Sequence, residues 1–499
     1  MKLITKSLLV IIIMTTFISA QTGTRLVGFD AKSMGRGGTS IGTFDSPELM
    51  MTNPAGISFL DHSMIDADIS LMFPAVHFKN TLNDKDGDKN TFPLPAASYV
   101  NKCKESNFSW GLGFFTAGGM GADYSLDHAL YRNQDGSYNP QKYHSKLASM
   151  QGGLTVAYKF NDNFSVGISA HLVYSILEFE MPYSLNPSVM QGVANPSTGM
   201  TFGQMFAAPP SQGGFGYNEV TASANMTGLT AIGFNGKIGF AYKVNDQLSF
   251  GLSYTMPTSL TYKNGKASMD MTAQLNDAFG KAVQGAMAQY PTLTLAQAQA
   301  AVIAQFSGMG IDLSKGAAAN YDLNVDLKFP QSFGFGVSYV ISNNFKVAGD
   351  LEWINWANAF DKMTIKLSNG ANPNINTMMG NNGTFSLDFP MNWKNSVVVK
   401  LGGEYSVNSD LTLRLGYAYG GNPVPATTIF PIFPAIVENH LTIGASYKVS
   451  APLTINAAFE MALNKSLTAS NPSLIADEYN GSTSQLSTSL IHLSASYNF

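Results

Sequence analysis

One pattern dominates the chain: short segments in which apolar and small or polar residues alternate, joined in pairs by tight polar turns. It is written as "GGLTVAYKF NDN FSVGISAHLVYS" over 152–175 and as "GKIGFAYKV ND QLSFGLSYTM" over 236–256. It returns over 333–353, 397–420 and 441–463. Alternation of period two is the signature of a strand with two unlike faces, and short turns force neighbouring strands to run antiparallel. From Leu411, the residues Leu411, Leu413, Leu415, Tyr417 and Tyr419 point one way, whereas Thr412, Arg414, Gly416 and Ala418 point the other. From Ile455, an apolar face likewise opposes Asn456, Ala458 and Glu460.

Alternation alone fits a water-soluble sandwich as well as a membrane barrel. Three features favour the barrel. Strands of about ten residues with aromatic ends suit a tilted membrane strand between aromatic girdles. Tight turns alternate with links of up to about fifty residues, as periplasmic turns alternate with extracellular loops. The chain also ends on an alternating strand, "HLSASYNF", closed by Phe499. Strands are expected near 63–73, 95–102, 107–116, 149–160, 163–179, 227–244, 247–263, 320–341, 345–356, 395–407, 411–420, 438–449, 453–464 and 486–499. That is fourteen, an even number that lets an antiparallel wall close.

Composition agrees. Charged residues make up only 12% of the 499, about half the share usual in a soluble protein. Lys2 and Lys6 precede an apolar run from Leu8 that ends in Ser19-Ala20, which reads as an export signal over 1–20; the run is too short to span a bilayer as a helix. Past it, 27 basic residues face 33 acidic ones, so no basic surface invites nucleic acid. A single cysteine, Cys103, excludes a disulfide framework.

Between the signal and the first strand lies a segment rich in glycine and small polar residues, with "GRGGTSIG" at 35–42 and "SPELMMTNPAG" at 46–56. Together with "FPQSFGFGVSY" (329–339), "LEWINWANAF" (351–360) and the terminal Phe499, it resembles the FadL-type outer-membrane transporters of long-chain fatty acids and other hydrophobic compounds. The resemblance implies a 14-stranded antiparallel transmembrane β-barrel (63–499) in a Gram-negative-type outer membrane, with residues 21–62 folded into its lumen as a hatch. Gly37 and Gly38 would permit tight turns and close approach to the wall. Pro54 would hold Asn53 extended while the Asn53 side chain closes an Asx-turn ahead of Ala55 and Gly56; the same Asn-Pro pair would equally punctuate the start of the first strand.

Two long links, 180–226 and 264–319, are expected outside the cell. The first carries Met200, Phe202, Met205 and Phe206 with scarcely a charge. In the second, Leu275, Phe279, Val283 and Met287 follow helical spacing and a second helix starts after Thr292 or Thr294. These residues either pack on one another or, as the resemblance implies, form a groove that captures substrate. The resemblance further implies an internal pocket, a hatch that shifts on binding, and lateral exit where the third strand bends. Gly118 and Gly119 are the candidates for that bend, or else begin the next loop. Lumen parity marks Lys400 and Arg414 as candidates to bind a carboxylate head group; Arg414 also stands opposite Glu404.

No nucleophile elbow, P-loop, dinucleotide fingerprint or metal-ligand spacing occurs, so no enzyme activity, cofactor or metal is expected. "NDKDGDKN" (83–90) looks like a calcium loop but has Lys89 where the turn needs glycine. The expected partners are a long-chain fatty acid or another hydrophobic molecule and the lipids of the outer membrane, with a monomeric chain. A diffusive porin and a structural or adhesive barrel are the competing readings.

Overall fold

The structure, a computed structural model, describes residues 23–103 and 106–499; the signal assigned to 1–20 lies outside them. Fourteen antiparallel strands form a closed wall. The first seven are β1 (Met64–Lys79), β2 (Phe92–Lys102), β3 (Phe108–Leu126), β4 (Gln141–Lys159), β5 (Phe164–Leu185), β6 (Val220–Lys243) and β7 (Leu248–Thr255, continued by Thr258–Asp270). They are followed by β8 (Ala318–Phe329 and Ser332–Ser342), β9 (Phe345–Ile354 and Lys362–Ser368) and β10 (Phe385–Pro390 and Ser396–Ser406). The last four are β11 (Leu411–Gly420), β12 (Asn439–Lys448), β13 (Leu453–Thr468) and β14 (Thr483–Asn498). Each pairs with its chain neighbour, and β14 returns to β1 in unbroken register from Met64↔Asn498 to Lys79↔Thr483. Closure leaves the wall without a free edge except where β2 and β3 stop pairing beyond Ala96↔Phe115.

The alternation sorts the faces as the sequence predicts. Leu415 on β11 is 66% exposed, whereas its neighbour Arg414 is 8% exposed inside the lumen. The outward set, including Leu172, Ile232, Phe234, Leu401 and Ile443, is apolar because it meets lipid. Phe160, Tyr242, Tyr339, Tyr405 and Tyr447 crowd the short-turn end as an aromatic girdle.

Several strands run further outward than the alternation indicates. β3 does not stop near Thr116 but continues to Leu126, so Gly118 and Gly119 lie within a strand and do not open a loop. The outer segments Lys362–Ser368 and Phe385–Pro390 pair as a hairpin in a region read as a link. Beyond the bilayer no lipid enforces a purely apolar face, and the polar-apolar contrast fades.

Ahead of the wall, residues 23–60 lie inside the barrel as two short helices, α1 (Ala31–Gly35) and α2 (Leu49–Thr52), and a 3-10 turn over Pro54–Phe59. The outer links fold into α3 (Phe202–Ala207), α4 (Thr272–Gln289), α5 (Leu295–Gly308) and α6 (Pro373–Met379). A capping box starts α5, in which the Thr294 hydroxyl accepts from Gln297 N and the Gln297 side chain accepts from Thr294 N.

Candidate functional site

The hatch lies on bare wall. Glycines at lumen positions of seven strands, Gly167, Gly239, Gly251, Gly336, Gly402, Gly416 and Gly444, let its backbone touch theirs. A Cβ on Gly416 would stand 2.0 Å from Gly37 N, and one on Gly251 1.8 Å from Ile41 O. Gly37 itself has φ +68°, a left-handed conformation that favours glycine, with the wall carbonyl of Leu401 beside it. Asn53 is extended (φ −145°, ψ 93°) as expected before proline, and its Oδ1 accepts from Ala55 N at 3.3 Å. Its Nδ2 donates to Ile41 O in the hatch (2.8 Å) and to Phe240 O in the wall (3.0 Å). The Asn-Pro step therefore both turns the hatch and fastens it.

Buried charge completes the attachment. Arg36 donates to Asp45 (2.6 Å) and to Glu404 of β10 (3.0 Å), and Lys346 of β9 reaches the same two carboxylates at 3.1 Å each. Asp350 accepts from Ser40 N (2.7 Å) and Ile41 N (3.0 Å). Thr442 accepts from Gly37 N at 2.9 Å, and Asp68 from Ala31 N at 3.1 Å. The head-group candidates belong to this set. Lys400 Nζ donates to Val27 O at 2.7 Å, and Arg414 Nε donates to Glu404 at 2.6 Å while its other nitrogen bonds Ser446. Both hold the hatch or its counter-charge, and neither lines the cavity described next.

A cavity of about 360 Å³ lies between the start of the hatch, β1–β5 and β12–β14. Its wall is mostly apolar, with Met72, Leu147, Ile176, Val437 and Leu490 among the lining residues. It reaches the barrel wall where pairing fails. β2 and β3 pair from Lys102↔Ser109 only as far as Ala96↔Phe115, and Phe92 to Pro95 pair with β1 alone. The cause is local. Thr116 Oγ1 donates to Pro95 O at 3.0 Å, so the Pro95 backbone faces β3, and by the period of two so does that of Pro93. Neither proline carries an N–H to continue the ladder. Opposite them, the register between β3 and β4 slips between Thr116 and Gly118. At the bend the hatch approaches: Gly119 N donates to Thr24 O at 3.0 Å, and a Cβ on Gly118 would stand 2.1 Å from that oxygen. The outer rim of the opening is Asp88 N bonded to Asp123 O at 2.8 Å.

Outside the membrane, seven of the eight candidate groove residues come together in one apolar cluster. Phe202, Met205, Phe206, Leu275 and Val283 are buried in it, Phe279 packs against its edge, Met200 is half-buried, and Met287 remains exposed. α5 and α6 complete the cluster with Val302, Phe306, Ile375 and Met378. A mostly apolar cleft lies beside them, formed by Tyr183, Met190, Met226, Met269, Met379 and Phe389 among others.

Two features of the lumen escaped the sequence reading. The link between β11 and β12, "NPVPATTIFPIFPAIVE" (422–438), folds inward, with Ile432, Ala435 and Ile436 fully buried, and Pro434 and Val437 on the cavity wall. Its run of prolines and unbroken apolar residues, too irregular for a strand, was the available sign. Lys237 lines a recess of mixed character next to the cavity, with Arg25, Ser149 and Gln151 beside Phe29, Met51 and Phe329. Its parity with Gly239 and Ala241 marked it as inward. Among the described residues no cluster of His, Cys, Asp and Glu side chains could hold a metal ion.

The fold has solved counterparts. The Pseudomonas putida toluene transporter TodX matches at 19% identity with a TM-score of 0.67, over 95% of this chain and 99% of that one. A Pseudomonas aeruginosa FadL homologue matches at 18% identity and 0.67, over 96% and 100%. The Ralstonia pickettii toluene transporter TbuX matches at 18% and 0.64, over 95% and 99%. The model of the outer membrane protein transport proteins (OMPP1/FadL/TodX) matches residues 13–499. The closed fourteen-stranded wall, the lumen hatch and that near-complete match place this chain in the OMPP1/FadL/TodX family of outer-membrane transport proteins for hydrophobic compounds.

Proposed function

We propose that the protein carries hydrophobic molecules, long-chain fatty acids among them, passively inward by four steps: capture beneath the outer helices, binding in the 360 Å³ cavity, rearrangement of the hatch (21–62), and lateral release into the membrane between β2 and β3. The observation that carries this reading is the apolar cavity whose wall includes both unpaired strand edges, Phe92 to Pro95 and Thr116 to Gly121. A lipophile leaving there meets lipid without crossing a water column, and the downhill gradient suffices to drive it.

The capture surface is the Met-rich cleft together with the cluster of Met200, Phe202, Met205, Phe206, Leu275, Phe279, Val283 and Met287, whose flexible side chains can re-pack around varied apolar ligands. Lys400 and Arg414 act on substrate only after the hatch moves and frees them. A diffusive porin needs an open polar lumen, whereas hatch and 422–438 segment occupy this one.

The test restores the wall. Pro93→Val and Pro95→Val combined with deletion of Ala117 returns the donors and removes the slipped register. Uptake of a radiolabelled fatty acid or toluene by cells is expected to fall at least about tenfold, with the barrel still folded by heat-modifiable gel mobility. Uptake unchanged in a folded variant would exclude the lateral route.

A further inference from the structure

The Met-rich cleft and the 360 Å³ cavity share no lining residue. Between them stands the middle of the segment that links β11 to β12. Phe430 packs against Phe179 of β5, with ring centroids 6.1 Å apart, and against Phe389 of β10 at 5.2 Å. Those two wall rings lie 5.8 Å from each other, and both line the cleft. Four residues beyond Phe430, Pro434 lines the cavity, as does Val437. Three rings in mutual contact close this route from cleft to cavity.

The three rings are not held alike. Phe179 and Phe389 sit in strand ladders, opposite Met226 and Met363. The segment carrying Phe430 is fastened at its ends. Thr428 Oγ1 donates to Met391 O (2.5 Å), Ser470 N to Ala426 O and Leu474 N to Thr427 O (2.8 Å each), and Lys465 pairs with Glu438 at 2.6 Å. Over 429–437, by contrast, the only hydrogen bond to the rest of the described protein runs from the Ser145 hydroxyl to Ile432 O. Phe433 N, Ala435 N and Ile436 N bond within the segment, and Pro431 and Pro434 have no N–H to give. Apart from the Ser145 bond these residues are held by apolar packing, with Ile429, Ile432 and Ile436 buried in the main apolar cluster. A lipophile replaces apolar contacts in kind but cannot replace a ladder of hydrogen bonds. The weakly bonded stretch between two fixed ends is therefore the element that yields.

We propose that residues 429–437 form a strap that a molecule lifts on its way from cleft to cavity, and that the Phe430 ring, closing against Phe179 and Phe389, sets the width of molecule admitted. A single alkyl chain or a singly substituted ring passes with a small displacement, whereas a bulkier isomer must drive ring and strap further from their packed positions. This rests on the reading of cleft and cavity as capture and binding sites; it adds the step between them and a residue that selects among hydrophobic substrates.

The test compares two isomers of one formula and unequal width, hexylbenzene and 1,3,5-triethylbenzene, as radiolabelled uptake by cells carrying the full chain, with cells lacking it subtracted. The wild type is expected to take up hexylbenzene about tenfold faster, a factor within the strain of forcing extra bulk through packed side chains. Phe430→Ala removes the ring and leaves the hydrogen bonds of the strap in place; it should bring the two rates within about twofold. Phe430→Leu, which keeps the core better filled, should give a ratio between those values. Heat-modifiable gel mobility identifies the folded barrels, and antibiotic sensitivity should stay at the wild-type level because the hatch remains below the strap. Equal rates for the two isomers in the wild type, a ratio unmoved in the folded variants, or variant cells made sensitive to antibiotics by a general opening of the lumen would each overturn the inference and leave the sites on either side standing. Uptake of neither isomer by wild-type cells above the background would overturn the reading of those sites itself.

Discussion

Residues that a sequence shows as merely small become specific once the hatch is in place. Gly416 and Gly402 each meet hatch backbone at distances no Cβ tolerates, 2.0 Å to Gly37 N and 2.3 Å to Arg36 O. Gly416→Ala should therefore loosen the hatch at a cost of ~1–3 kcal/mol, typical of overpacking, while the wall stays closed. Faster cleavage within residues 30–50 by added protease would register this. Arg36 is the charged counterpart. Removing it in Arg36→Ala leaves Asp45 and Glu404 joined by Lys346 alone, with Arg414 on Glu404, and takes away the hatch's own cation. Loss of one partner of a buried ion group commonly costs ~3–5 kcal/mol. The hatch should then detach, read as single-channel conductance rising in planar bilayers where the wild type is quiet.

At the scale of elements, the outer ends of the strands carry a titrating contact. Glu478, in the link between β13 and β14, accepts from Tyr143 of β4 (2.9 and 3.2 Å). Burial, reinforced by Glu219, pushes its carboxyl up to about 7 against the pull of the tyrosine hydroxyls. His128, in the link between β3 and β4, is lowered by burial to about 4. The two act in opposite directions. Folded Glu478 holds its proton where the unfolded chain has lost it, so its contribution falls as pH rises from about 4.5 to 7. Folded His128 stays neutral where the unfolded chain would bind a proton, so its contribution falls as pH drops from about 6.5 to 4. Outer-loop protection should therefore be greatest between about pH 5 and 6.5 and weaken on either side. In Glu478→Gln the alkaline loss should vanish and the acid loss remain, as amide exchange in residues 469–482 would report. The family of strands shows the same division: those crossing lipid were legible, whereas the outer hairpin of β9 and β10 was not, since no lipid selects its face.

The whole molecule is a closed wall with a double filling, the hatch from one end and 422–438 from the other. Deleting 21–56 should admit small polar solutes, measured as antibiotic sensitivity, because residues 23–56 fill the space between the lumen glycines; a diffusive porin would change little. By itself, the sequence determined the wall: period-two alternation between lipid and lumen fixes which residues face outward, and an even count of antiparallel strands lets it close. It also carried, in "GRGGTSIG" and "SPELMMTNPAG", the resemblance that implied a hatch. What the hatch touches, which charges it engages and where the wall opens were decided only by tertiary structure. Lys400 and Arg414 show why. Parity said that they face the lumen, but the lumen is shared by ligand and hatch, and long-range packing alone assigns each cation to one or the other.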